Sequence, residues 1–323
     1  MRIFRPAGVS AALGLALLGG MLWAPLAAPA AQAGTAGHCL IINKATDTSY
    51  INLQAAQDAA TAGATLWVRG TCTGTTEISK NLTITGQHPK GFTAPTLSGG
   101  GQGSVLTIDS AATVTINTLT ITGGKAQPVG FLSSGGGIDN NGTLTLNDTT
   151  VTGNTADTGG GIVNFGTVTL NDTTISGNTA GDVGGGITNG GGTVTMNDSA
   201  TISGNTASLD GGGIWSEGGT VTMTGSATIT GNTAGDLGGG IFTNGTVTMN
   251  DSATITGNTA QEGGGIWSQG GTVTMTGSAI ITGNTADVTG GGILNHCGTL
   301  NGAVAGAGGN VFGNKPDDIV SVC

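Results

Sequence analysis

The chain has 323 residues, of which 65 are glycine, with only 3% aromatic and 8% charged side chains. Its 18 Asp+Glu against 8 Lys+Arg give a formal charge of −10, a balance that repels nucleic acid and anionic membrane. No Lys or Arg occurs between Lys125 and Lys315, so more than half the chain offers no cationic group for binding or catalysis.

Residues 1–33 read as a signal peptide. Arg2 and Arg5 supply the charged end, Val9 to Trp23 the apolar run, and Ala31-Gln32-Ala33 a small-x-small cleavage site. The run is short and interrupted by Gly14, Gly19 and Gly20, which argues against a transmembrane anchor. Export is therefore expected, leaving a secreted or cell-surface protein. Loss of the two arginines moves the formal charge from −10 to −12.

Residues 34–63 are expected to hold an N-terminal strand and a capping helix. Ile51 to Ala62 has Asn52 as N-cap, Leu53 and Ala56 on one face and Gly63 as its stop. Residues 64–134 contain alternating strands such as ATLWV, NLTITG and TVTIN at irregular spacing. Two excursions, Gln87–Pro95 and Lys125–Ser134, are the irregular loops where a binding site would most easily be built.

Residues 135–314 repeat one unit. The isoleucines of its GGGI motif are Ile138, Ile162, Ile187, Ile214, Ile241, Ile266 and Ile293, with steps of 24, 25, 27, 27, 25 and 27 residues. A near-constant period of this size marks a solenoid. Apolar and polar residues alternate within the unit, as in Thr193-Val194-Thr195-Met196, so its elements are strands. Each unit has three such runs: around GGGI, at GTVTM, and at ATITGN. The pattern predicts one turn of a parallel β-helix, with Ile214, Val221, Met223 and Ile229 inward. Ile241, Val247, Met249 and Ile255 would stack on them about 4.8 Å further along. About ten to eleven coils of three strands are expected, and residues 315–323 form a tail.

GGGI followed by I(S/T)GN resembles the paired GGAI and FxxN repeats of the polymorphic outer-membrane protein family. More broadly it resembles the right-handed β-helix repeat proteins that share the pectate-lyase fold. The resemblance runs from Gly135 to about Asn314 and implies an all-β, single-stranded right-handed parallel β-helix. The family also implies adhesion, while the fold hosts lyases, hydrolases and inert stalks alike.

Cys39, Cys72, Cys297 and Cys323 lie two near each end. Four cysteines allow three connectivities, and Cys39–Cys72 with Cys297–Cys323 is the pairing that staples the fraying ends. Spacing does not suit zinc, since there is no C-x-x-C.

Four candidate surfaces follow. Asp157, Asp182, Asp210, Asp236, Glu262 and Asp287 precede the GGG turns; stacked in a column they would repel unless bridged, and calcium is the cation to expect. The residue after the GGGI isoleucine is Trp215, Phe242 and Trp267 in three successive units, which predicts an outward aromatic stripe able to meet sugar rings. Thr-x-Thr recurs on the middle strand, from Thr143/Thr145 to Thr272/Thr274, and such an array could order water as β-helical ice-binding proteins do. Asn154, Asn178, Asn205, Asn232, Asn258 and Asn284 close the third strand and are expected to hold the turns together.

No catalytic residue is assigned. A polysaccharide lyase needs a cationic base, which the repeats lack; a glycosidase needs facing carboxylates, and the adjacent pair Asp317-Asp318 lies in the tail. The expectation is a monomeric, non-enzymatic module, without cofactor apart from the calcium considered above, that contacts extracellular polysaccharide or another cell-envelope component and not nucleic acid. A polysaccharide-acting enzyme and an ice-binding protein are the alternatives.

Overall fold

The computed structural model describes residues 38–126 and 135–323, all within one compact unit, Gly34–Cys323. The expected signal peptide, residues 1–33, and residues 127–134 of the second expected loop lie outside the described residues.

Alternation of small β-branched and polar residues makes these runs strands, and the Gly and Asn between them make the corners. Among the described residues three sheets, each with ten parallel strands, run the length of the unit. The GTVTM sheet extends in parallel from Ala64–Arg69 to Thr299–Asn301, the ITGN sheet from Thr71–Thr73 to Val311–Phe312, and the GGGI sheet from Thr76–Ile78 to Ile319–Val322. Neighbouring coils pair like with like: Val194 with Val221, Met196 with Met223, Ile187 with Ile214 and Ile202 with Ile229. The expected inward set, Ile214, Val221, Met223 and Ile229, is fully buried, as is the next coil's. Full burial stabilises each such side chain by about 1.5–3 kcal/mol relative to exposure. The chain is therefore a parallel β-solenoid.

A fourth sheet was not foreseen. After each ladder asparagine a Thr-Ala strand leaves the three-sided coil, and six of these, from Thr155–Thr158 to Thr285–Thr289, pair in parallel. The glycine triplet brings the chain back with its backbone against that strand. A Cβ on Gly212 would lie 2.5 Å from the Thr233 carbonyl carbon and 2.6 Å from the Gly239 oxygen. Side chains are therefore excluded at the centre of the triplet. Its first glycine carries a second demand, since Gly211 has φ +64°.

At the N-terminal end the strands Leu40–Asn43 and Thr48–Tyr50 pair antiparallel and cover the edge of the GTVTM sheet. The helix is shorter than predicted, Leu53–Ala59, with Asn52 Oδ1 accepting from the Ala55 N–H at 2.8 Å. Ile51 stays 80% exposed, while Leu53 and Ala56 join the core. Ala60 turns extended and ends the helix three residues before Gly63. Disulfides join Cys39 to Cys72 and Cys297 to Cys323.

Candidate binding surfaces

The GGGI sheet sets Trp215, Phe242 and Trp267 in register, one coil apart. Their rings stack on one another: Trp215 on Phe242 at 6.0 Å and 15°, Phe242 on Trp267 at 4.8 Å and 9°. His296 continues the stack 6.4 Å from Trp267. An exposed stripe was expected; the structure covers most of it. Phe242 and Trp267 are only 8% and 7% exposed and form a second apolar cluster with Leu294, flanked by Leu237 and Val320. Two physical reasons apply. The returning glycines and the fourth sheet bring Leu237 alongside the rings, and coil spacing is close to ring-stacking distance, so each face meets a neighbouring ring instead of a sugar. Trp215 alone stays half-buried.

The acids do not form one column. The segment from the Thr of the fourth sheet to the first glycine has four residues in some coils and five in others, as in Thr155–Thr158 and Thr179–Val183. Register shifts accompany both ends of that sheet. Glu262 consequently lies beside Leu237, not beside Asp236. Asp210 and Asp236 are the exception. Burial, opposed by a hydrogen bond from the Leu237 N–H to Asp210 Oδ1 at 3.1 Å and helped by repulsion from Asp236, raises the Asp210 pKa above its ordinary value. The described residues hold no group of three or more His, Cys, Asp or Glu side chains able to share a metal ion. The calcium column read from the sequence thus loses the stacking on which it rested.

The hydroxyl array is in register over the whole repeat region. Thr113 pairs with Thr143, Thr143 with Thr167, and so on to Thr272, with a second column from Thr115 to Thr274 beside it. A matching array on the ITGN sheet was missed: Thr120/Thr122, Thr150/Thr152, Thr174/Ser176, Thr201/Ser203, Thr228/Thr230 and Thr254/Thr256. The TIT and TIS runs carried that signal in plain sight. The corner between the two arrays holds exposed Asp148, Asp172, Asp198 and Asp251 in left-handed backbone, with φ 46 to 58°. This acid row was also missed.

The asparagine ladder is continuous. Each Nδ2 donates to the next coil's Oδ1, Asn154 to Asn178 and onward through Asn284 to Asn314, at 2.9–3.0 Å. The same amides reach a backbone carbonyl of the preceding coil, as Asn232 does to Ile202. Of the isolated polar residues, Arg69 donates to Gln87 Oε1 through Nε and Nη2, and His88 Nε2 lies 3.0 Å from the Phe92 carbonyl within its loop. Both hold irregular coils in shape.

Fold and surfaces together define a parallel β-helix repeat protein with a mostly covered aromatic stack and two half-buried hydroxyl faces in register. One of its repeats is of a known type: the family model for the Chlamydia polymorphic membrane protein repeat matches residues 199–217. That segment runs from the ITGN strand through the fourth sheet and the glycine triplet to Glu217. No curated protein and no solved structure matches the chain. Among the described residues no helix is long and apolar enough to cross a membrane.

Proposed function

We propose that this is an exported, surface-type β-helix that adheres, without catalysis, to extracellular polysaccharide or another cell-envelope component. The observation that carries this reading is the pair of flat, uncharged hydroxyl columns from Thr113/Thr115 to Thr272/Thr274. Such a face suits an extended, neutral, hydroxyl-rich polymer, since many weak hydrogen bonds act at once along a repeating ligand. The polymorphic membrane protein type of repeat at 199–217 supports a surface role. With Phe242 and Trp267 covered, the threonines are the better-supported contact surface.

The test is retention of the mature protein on a panel of polysaccharides and envelope preparations. Thr195→Leu with Thr222→Leu removes two hydroxyls from adjacent coils and raises bulk between them. At about 1 kcal/mol per hydrogen bond, roughly fivefold each, retention is expected to fall by about 25-fold. Retention that survives this change but fails with Trp215→Ala would return the contact to the aromatic edge. Thermal hysteresis lowered by Thr222→Leu would assign the face to ordering water, and chain cleavage of any polymer would make the protein an enzyme.

A further inference from the structure

Inside the coil, one residue beyond each position of the aromatic column, a second polar column faces inward. It runs from Asn140 through Asn164, Asn189, Ser216, Thr243 and Ser268 to Asn295, all in register and at most 5% exposed. Where asparagine follows asparagine the wiring repeats. Asn140 Nδ2 donates to the Gly142 carbonyl, to Asn164 Oδ1 and to the Thr167 carbonyl. Asn164 Nδ2 does the same with Gly166, Asn189 Oδ1 and Thr193. One amide nitrogen thus serves three acceptors: its own coil's glycine, the next column member, and the next coil's threonine.

At Ser268 that nitrogen is replaced by a hydroxyl on Cβ, too short to span the same distance. Ser268 Oγ and Asn295 Oδ1 are both buried and neither has a partner among protein atoms. They converge with a third oxygen. A Cβ built on Gly298 would stand 2.5 Å from Asn295 Oδ1, 2.5 Å from the Gly271 carbonyl oxygen and 3.1 Å from Ser268 Oγ. Asn140 Oδ1 is unpartnered as well, but for a different reason: the coil before it places apolar Ile108 at that position, so no second polar group is aimed at it.

We propose that Ser268, Asn295 and Gly271 form a binding site for one structural water molecule that stands in for the absent amide. The water donates to Asn295 Oδ1 and to the Gly271 carbonyl, and accepts from the Ser268 hydroxyl, which gives it the two to four polar partners a buried water requires. A cation would meet the same three oxygens, but none of them is charged, and an uncompensated buried charge is far costlier than a neutral donor. The site is independent of what the outer faces bind.

High-resolution crystal structures of the full mature chain and of Ser268→Asn test the assignment. The wild type is expected to show a density peak within hydrogen-bond distance of all three oxygens. In Ser268→Asn the introduced amide nitrogen takes that place, the peak disappears, and Tm rises by about 2 °C as a direct bond replaces a bridged one. Direct contact of the Ser268 hydroxyl with Asn295 Oδ1, with no peak between them, overturns the proposal. So does an ion identified there by anomalous scattering. Should the variant not crystallise, a fall in its Tm instead of a rise counts against the site.

Discussion

Asp210 shows how one side chain can carry a pH signature in a chain that is almost free of positive charge. Its carboxyl is held between burial and Asp236, which favour the proton, and the Leu237 N–H, which favours the anion. The net effect raises its pKa in the folded state above the ordinary 3.8. The folded protein then binds more protons than the unfolded one in the window just above that value, so stability falls as pH rises through it. At neutral pH the penalty is fully present. Asp210→Asn keeps an acceptor for Leu237 and removes the charge; Tm at pH 7 is expected to rise, and the part of the Tm loss just above the ordinary carboxylate value of 3.8 that belongs to this residue should vanish. An unchanged pH profile by calorimetry would show that the neighbouring carboxylates set it.

At the scale of elements, the glycine triplet and the asparagine ladder perform complementary work. The triplet lets two backbones meet: its N–H groups donate from coil to coil, as Gly212 does to the Gly238 carbonyl at 3.1 Å, while its missing side chains leave room for the Thr-Ala strand. Asn232 and its kin satisfy the corner carbonyls that this departure leaves inside. Gly212→Ala places a methyl against the Thr233 backbone, which cannot withdraw as a side-chain tip could. A loss of about 1–3 kcal/mol in chemical denaturation is expected, where Gly→Ala at an open site of ordinary φ would stabilise by a fraction of a kcal/mol. A loss below about 1 kcal/mol would mean the fourth sheet yields easily. The aromatic stack belongs to this scale as well: it ties together the coils of Trp215, Phe242 and Trp267 through ring contacts, each worth about 0.5–1.5 kcal/mol beyond burial.

For the whole molecule the ends matter most, because an interior coil has two neighbours and a terminal coil only one. Each end carries its own staple, Cys39–Cys72 across 33 residues and Cys297–Cys323 across 26. Closing loops of this length stabilises by roughly 3–4 kcal/mol in the chain-entropy view. Cys297→Ser with Cys323→Ser is expected to free the last coil first. Hydrogen exchange should rise at Thr299–Asn301 and Ile319–Val322 while the amides around Val221 stay protected. Uniform loss of protection would show one cooperative unit without separable ends.

The fold was legible because its signal is local and repeated: Val221 and Met223 alternate with Thr220 and Thr222, and the same pattern returns at Val247 and Met249. Hydrophobic alternation determines which side of a strand faces in, and an almost fixed period determines that strands stack with themselves. The inward set and the asparagine ladder follow from those two facts alone. Whether an outward residue remains exposed is not a local property. Trp267 and Thr222 both alternate outward from their strands, yet Trp267 is buried among Phe242, Leu294, Leu237 and Val320 while Thr222 stays half-buried. Likewise Asp157 and Asp210 occupy similar places before a glycine triplet, but one residue more or less in the preceding segment sets them on different tracks. The sequence by itself determined the solenoid, since burial of a periodic apolar stripe has one economical solution. Only the tertiary structure decided which outward groups are open, which acids meet and where the polar interior lacks a donor, because each depends on how the loop of one coil lies against the next.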